Sequence, residues 1–200
     1  MKENRLGFQA ITLTLALALL FSGAAWAHVT PNVQLAGIRE TVAKLLPSGQ
    51  LYVKDIQLNE EQKRKLDALS NWKGQLGDGE FKFFVSRDGG DRLLGALVFM
   101  SEFTYHGPVV VAVAMDANGK IADARVTDVQ MEPMEWVSPL LRNDYLREFK
   151  GKTASMELAL GPKWENGYGE MTRGYAMLIA NAVKRSAQLF DMVFINGSAK

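Results

Sequence analysis

Apolar residues recur every three or four positions between Val33 and Leu46: Leu35, Ile38, Val42 and then Leu45 and Leu46. That period predicts a helix with one buried face, closed by Pro47. Leu51 to Leu58 alternates instead and predicts a strand. Asn59 then opens a second helix, because Gln62 stands three residues on, in the capping-box position. Its polar run "EEQKRK" reads as a solvated helix face.

After Gly74, Gly77 and Gly79 the period shortens to two. "EFKFFVSR" and "RLLGALVFMSEF" predict strands joined through Asp88-Gly89-Gly90-Asp91, a hairpin turn. "GPVVVAVAMD" and "KIADARVTDVQ" predict a second hairpin around "DANG". The first of these strands is apolar at every position from Val109 to Ala114, which predicts a central place with both faces covered. Pro139 to Lys150 predicts a short helix carrying Leu140, Leu141, Tyr145, Leu146 and Phe149. A Gly-rich stretch of about twenty residues follows without an evident element, which is unusual unless it serves a function. It ends at Thr172, ahead of a helix with Tyr175, Leu178, Ile179, Ala182 and Val183 on one face. Helices at both ends of an antiparallel meander of about four to six strands give an α+β domain.

The first residues change where that domain starts. Lys2 and Arg5 precede an apolar run from Ala10 to Phe21, and Ala25 and Ala27 put small side chains at cleavage positions. This is the pattern of a secretory signal peptide over residues 1–27, which leaves 28–200 as a single domain. An uncleaved segment would instead anchor the protein in a membrane. Without Lys2, Glu3 and Arg5 the acidic and basic residues balance, so the domain has no general attraction to nucleic acid or anionic lipid. The chain has no cysteine. Disulfides, thiolate metal sites and cysteine nucleophiles are excluded, and redox chemistry would need an organic cofactor or a metal on N, O or thioether ligands.

The candidate chemistry is sparse. His28 and His106 are the two histidines, and neither has a partner at metal-ligand spacing. After cleavage His28 would become the amino terminus, where its amine and imidazole could hold copper together with His106. No Ser–His–Asp set, Walker loop or dinucleotide fingerprint can be assigned. Thr172 is better placed. Just ahead of an amphipathic helix, free backbone N–H groups and the positive dipole end attract a phosphate. Gly169 and Gly174 would let a bulky phosphorylated group approach, and Trp164, Tyr168 and Tyr175 could offer faces to a planar ring. The plainer reading is that threonine is a common helix N-cap.

From about Leu35 onward, the order of features resembles the FMN-binding domain family. That family includes the flavin-carrying subunits of the Rnf and sodium-pumping NADH:quinone reductase complexes and the periplasmic part of NosR-type regulators. "YHGPVVVAVAMDANGKIADARVTD" (105–128) is similar to the family's Gly-Tyr-x-Gly-Pro-Ile strand and Asp-x-x-Gly-Lys-Ile hairpin. "MEPMEW" (131–136) sits where the family has Glu-Thr-Pro-Gly, and "LREFKGK" (146–152) resembles its Phe-x-Gly-Lys segment. "GEMTRGYAMLIANAVKRSAQLF" (169–190) falls where the family has Ser-Gly-Ala-Thr and a helix. The chain departs from the pattern at Gly169, Glu170 and Met171, which replace Ser-Gly-Ala, and at Asn166, where the family has aspartate. Of the Glu-Thr-Pro-Gly loop only Glu132 and Pro133 remain.

The resemblance implies FMN as cofactor, carried by Thr172 through a phosphoester that a flavin transferase installs. It implies a site built from Thr172, Gly169, Glu170, Met171, Gly174, Tyr168, Glu132 and Pro133. It also implies electron transfer with periplasmic or membrane redox partners, rather than turnover of a substrate. The altered attachment residues leave a second expectation open, a flavin-free binding or assembly module that keeps the fold.

Overall fold

The computed structural model describes residues 30–72, 79–104 and 106–196. The expected signal segment, His28 and Tyr105 lie outside them. Six strands form one antiparallel sheet. They are β1 (Val33–Gln34), β2 (Gln50–Gln57), β3 (Glu80–Arg87), β4 (Leu93–Phe103), β5 (Pro108–Asp116) and β6 (Ile121–Val129). Across the sheet they run β1-β6-β5-β4-β3-β2. Among the described residues no helix is long and apolar enough to cross a membrane. With helices before and after the meander, the protein is an α+β domain.

Local chemistry sets the turns. Asp88 accepts from the backbone N–H groups of Gly90 and Arg92, each at 2.9 Å, and so closes the β3–β4 hairpin. Asp116 does the same for Asn118 and Lys120 in the next hairpin, where Gly119 takes the left-handed backbone at φ 76°. β5 lies inside the sheet, and Val109, Val111 and Val113 have no exposed surface on one face. Ala112 and Ala114 are as deeply buried on the other. The expectation of a central, doubly covered strand holds.

The two faces are covered unequally. Helix α1 (Ile38–Leu45) lays Val42 and Leu45 on Leu97, Ala112 and Ala114. The opposite face carries the main core, over which the long C-terminal helix α5 (Glu170–Phe190) places Ile179, Ala182, Val183, Leu189 and Phe190. Between them in the chain come α2 (Glu60–Asp67), α3 (Met134–Arg142), a 3-10 turn (Tyr145–Phe149) and α4 (Pro162–Asn166). Asn59 and Gln62 cap α2 reciprocally, at 2.9 and 3.0 Å, as their spacing predicts. A π-helical turn, Asp191–Ile195, ends the described chain. β2 stands at the outer edge with Leu51, Tyr52 and Val53 about half exposed.

Three expected elements need correction. The helix read from Val33 begins only at Ile38, because Val33 and Gln34 pair with Val129 and Asp128 and extend the sheet. Leu35 then packs with the main core, while Val42 and Leu45 pack on the other face. The apparent single stripe is therefore two contacts either side of a sheet edge. The helix read as Pro139 to Lys150 starts five residues earlier, at Met134, with Pro139 inside it. It stops at Arg142, and Asp144 at φ 54° turns the chain into the 3-10 segment. The long stretch read as loop contains α4, whose Pro162 stands at its start, where a missing N–H costs nothing.

Candidate functional site

Thr172 does not cap α5. Gly169 is the N-cap, in extended conformation, so Thr172 is the third helical residue and is only 8% exposed. The reason lies just upstream. α4 ends at Asn166 and Gly167, and Tyr168 and Gly169 alone connect the two helices, so α5 starts as soon as the chain has turned. A glycine cap has no side chain to offer, and among the described residues no side chain caps the first turn. The first backbone bond back into the helix is Arg173 N–H to Gly169 O, at 3.1 Å. The N–H groups of Glu170, Met171 and Thr172 therefore point out of the helix end. Gly169 and Gly174 border open space, Met171 is about half exposed, and Glu170 places an acid in the same turn.

Glu132 enters from the opposite side. Met131, just before it, holds a left-handed backbone (φ 57°), costly for a residue with a side chain. Pro133 follows as the N-cap of α3, and the kink turns Glu132 fully inward. Its Oε2 accepts the hydroxyl hydrogen of Tyr175, one turn along α5 from Thr172, and lies 3.3 Å from Nδ1 of His106. Among the described residues its Oε1 has no hydrogen-bond partner. Burial, and then the Glu132 carboxyl, push the Tyr175 hydroxyl well above its usual range, so it stays a donor. Gly107 makes this approach possible, since a Cβ there would meet Gln130 O at 2.4 Å. The β4–β5 turn can thus lie against residue 130 and bring the half-exposed His106 to Glu132.

The aromatic residues are arranged differently from the expectation. Trp164 is buried, with Tyr168 stacked on it at 5.1 Å, Tyr145 against it edge-on at 4.6 Å and Lys163 Nζ at 4.5 Å. Its indole N–H donates to Glu148. These contacts use Trp164 within the core, and Tyr175 packs beside Trp136 with ring centres 6.0 Å apart. Tyr168 keeps a partly exposed ring next to Gly169. Arg173 fastens α4 to α5 through Glu165 O at 3.0 Å. Two grooves of about 520 and 500 Å³ lie elsewhere, and Thr172 lines neither.

The structure thus brings Thr172, Glu170, Met171, Gly169 and Gly174 together at one helix end, with Glu132 and Pro133 one turn further along. His106 joins them through Glu132 rather than through a second histidine, and among the described residues no cluster of three His, Asp or Glu could hold a metal. The sequence reading missed the Tyr175–Glu132 bond. Its one visible trace was a glutamate set between methionines and a proline, in "MEPMEW". Compared with known protein families the chain matches none, and no curated protein matches it.

Proposed function

We propose that this is an exported flavoprotein that holds FMN at the start of α5 and passes electrons between periplasmic or membrane partners. The observation that carries the reading is the uncapped first turn of α5, with Thr172 inside it. Three outward N–H groups and the helix dipole suit a phosphate, whether held non-covalently or esterified to the Thr172 hydroxyl by a flavin transferase. The open oxygen of Glu132 fits the same reading. A buried acceptor without a donor is rare in folded proteins and suits a ligand that brings an N–H.

In this reading FMN supplies the redox chemistry, and the chain supplies position. Thr172 and the turn N–H groups would hold the phosphate. Tyr168 would border the bound group, and Glu132, fixed by Tyr175, would accept a hydrogen bond from it. Glu170 opposes the phosphate, and Arg173 stands next to it as the nearest cation in sequence. The burial of Thr172 favours a second reading, a flavin-free module that keeps the fold.

Co-expression with a flavin transferase, followed by intact-mass measurement, separates the two. A carrier gains the mass of one FMN residue, and Thr172→Ala removes both that gain and the covalent yellow colour. A flavin-free module shows no gain and no flavin absorbance.

A further inference from the structure

β2 ends the sheet, and among the described residues no backbone pairs with its outer side. Edge strands are ordinarily shielded by charge, proline, a bulge or a covering element, because their free N–H and C=O groups take up other strands. β2 contains no proline and pairs with β3 in unbroken register over all eight residues. Its two charges stand in its second half and already have partners. Lys54 Nζ lies over the Phe194 ring at 5.2 Å, and Lys82 Nζ lies 3.4 Å from Asp55. The first half, Gln50 to Val53, is uncharged, and its Leu51, Tyr52 and Val53 are about half exposed.

These three side chains divide between the two faces of the sheet. Leu51 and Val53 stand opposite Ser86 and Phe84, and Phe84 packs with the cluster under α1. Tyr52 stands opposite Val85, on the main-core face. The Tyr52 hydroxyl donates to Gln50 Oε1 at 2.7 Å, so only its ring is left to be covered.

We infer that this edge pairs with β2 of a second copy, antiparallel and centred on Tyr52, so that two sheets join into one. A two-fold axis normal to the sheet leaves each residue on its own face. A residue can then stand opposite only itself or one an even number of places away. Centring on Lys54 or Asp55 sets like charges against each other. Centring on Val53 sets Leu51 against Asp55, and centring on Leu51 leaves Val53 against Gly49. Centring on Tyr52 sets Leu51 against Val53 twice and Tyr52 against itself, so every apolar side chain meets an apolar one. Lys54 then stands across from Gln50, and both charges keep the partners they have.

The first half of β2 is thus complementary to itself, which a two-fold interface requires and a foreign strand does not. Gln50 to Lys54 form the pairing, about 17 Å at the rise of a strand. So short a contact belongs to the weak, reversible class of interface. β2 carries none of the residues of the proposed flavin site, so the inference does not rest on that reading.

The chain has no cysteine, so single introduced cysteines report the register. Sedimentation of the purified protein up to millimolar concentration should show a reversible monomer–dimer equilibrium. Val53→Lys alters a side chain half exposed in the monomer, and should weaken the dimer at least tenfold while leaving the melting temperature unchanged. With oxidised glutathione as the oxidant, the Tyr52→Cys variant should close a disulfide with its own copy across the axis. Leu51→Cys and Val53→Cys should not link to themselves but should link when mixed, because like positions lie too far apart for a disulfide. A protein that sediments as a monomer throughout overturns the inference, and the edge is then left to another protein's strand or to none. A dimer that survives Val53→Lys has its interface elsewhere and overturns it too. So does a Leu51→Cys variant that links to itself as fast as Tyr52→Cys.

Discussion

Two buried glutamates meet the same helix, α5, at different points along it. Glu102, on β4, accepts from Arg185 at 2.9 Å and from Asn181 at 3.1 Å, both on α5. Asn71 ties Asn181 to Gln188, and Arg185 lies over the Trp72 ring at 4.4 Å. Glu132 meets α5 three turns earlier, with one tyrosine, one half-exposed imidazole and an oxygen left over. The first carboxyl is built into a network that matches charge with charge and amide with amide. The second is incompletely matched, next to a strained backbone. Glu102 has a buried counter-charge, whereas Glu132 is held by a neutral hydroxyl and a half-exposed imidazole beside a strained backbone.

A third acid, placed where nothing can match it, sets the upper end of the scale. Val111→Asp puts a carboxyl into the central strand with no exposed surface, and the expected loss is about 4–5 kcal/mol or outright failure to fold. A wild-type unfolding midpoint would show that Val111 is not buried between β4, β6 and α5. The isosteric pair comes next. Glu102→Gln leaves the Arg185 cation buried without its counter-charge and should cost about 3 kcal/mol. Glu132→Gln keeps an acceptor for Tyr175, exchanges the other oxygen for an NH2 and strands no buried cation, so it should cost no more than about 1 kcal/mol. Equal losses by urea denaturation would end the distinction between the two sites.

The smallest effect concerns an acid in the open. Asp88 has its carboxyl held below the usual range, first by the backbone N–H of Arg92 and also by that of Gly90. A depressed folded value means that its contribution is present above the ordinary carboxylate range and is lost as pH falls through the lowered value. Asp88→Asn should therefore lower the melting temperature slightly at pH 7, and the gap should close toward pH 2. A gap that persists at pH 2 would assign the effect to turn geometry rather than charge.

The hairpins were legible because their information is local. Asp88 and Asp116 each bond two backbone groups within four residues, and Val109 to Ala114 announce burial on both sides by composition alone. The start of α5 was off by three residues because the choice of cap depends on how closely α4 ends before it, and α4 gave no periodic signal over its five residues. Leu35 and Val42 looked like one stripe because spacing along a chain does not tell which side of a sheet each residue meets. Glu132 could be picked out only through the resemblance of "MEPMEW" to a family loop. Its burial depends on Tyr175, 43 residues away, and on the φ of Met131, neither of which composition encodes.

The strand order has a kinetic meaning. β3 to β6 are joined by turns of four or five residues, and β2 pairs with β3 across a longer connection that contains α2. β1 makes the longest-range pairing, because Val33 must find Val129 after the whole meander is in place. Assembly should therefore run from the central hairpins outward, with β1 docking after the rate-limiting barrier. Weakening that contact by Val33→Gly should speed unfolding and leave the refolding rate of the chevron almost unchanged. The sheet is then zipped by its turns and fastened last by its shortest strand.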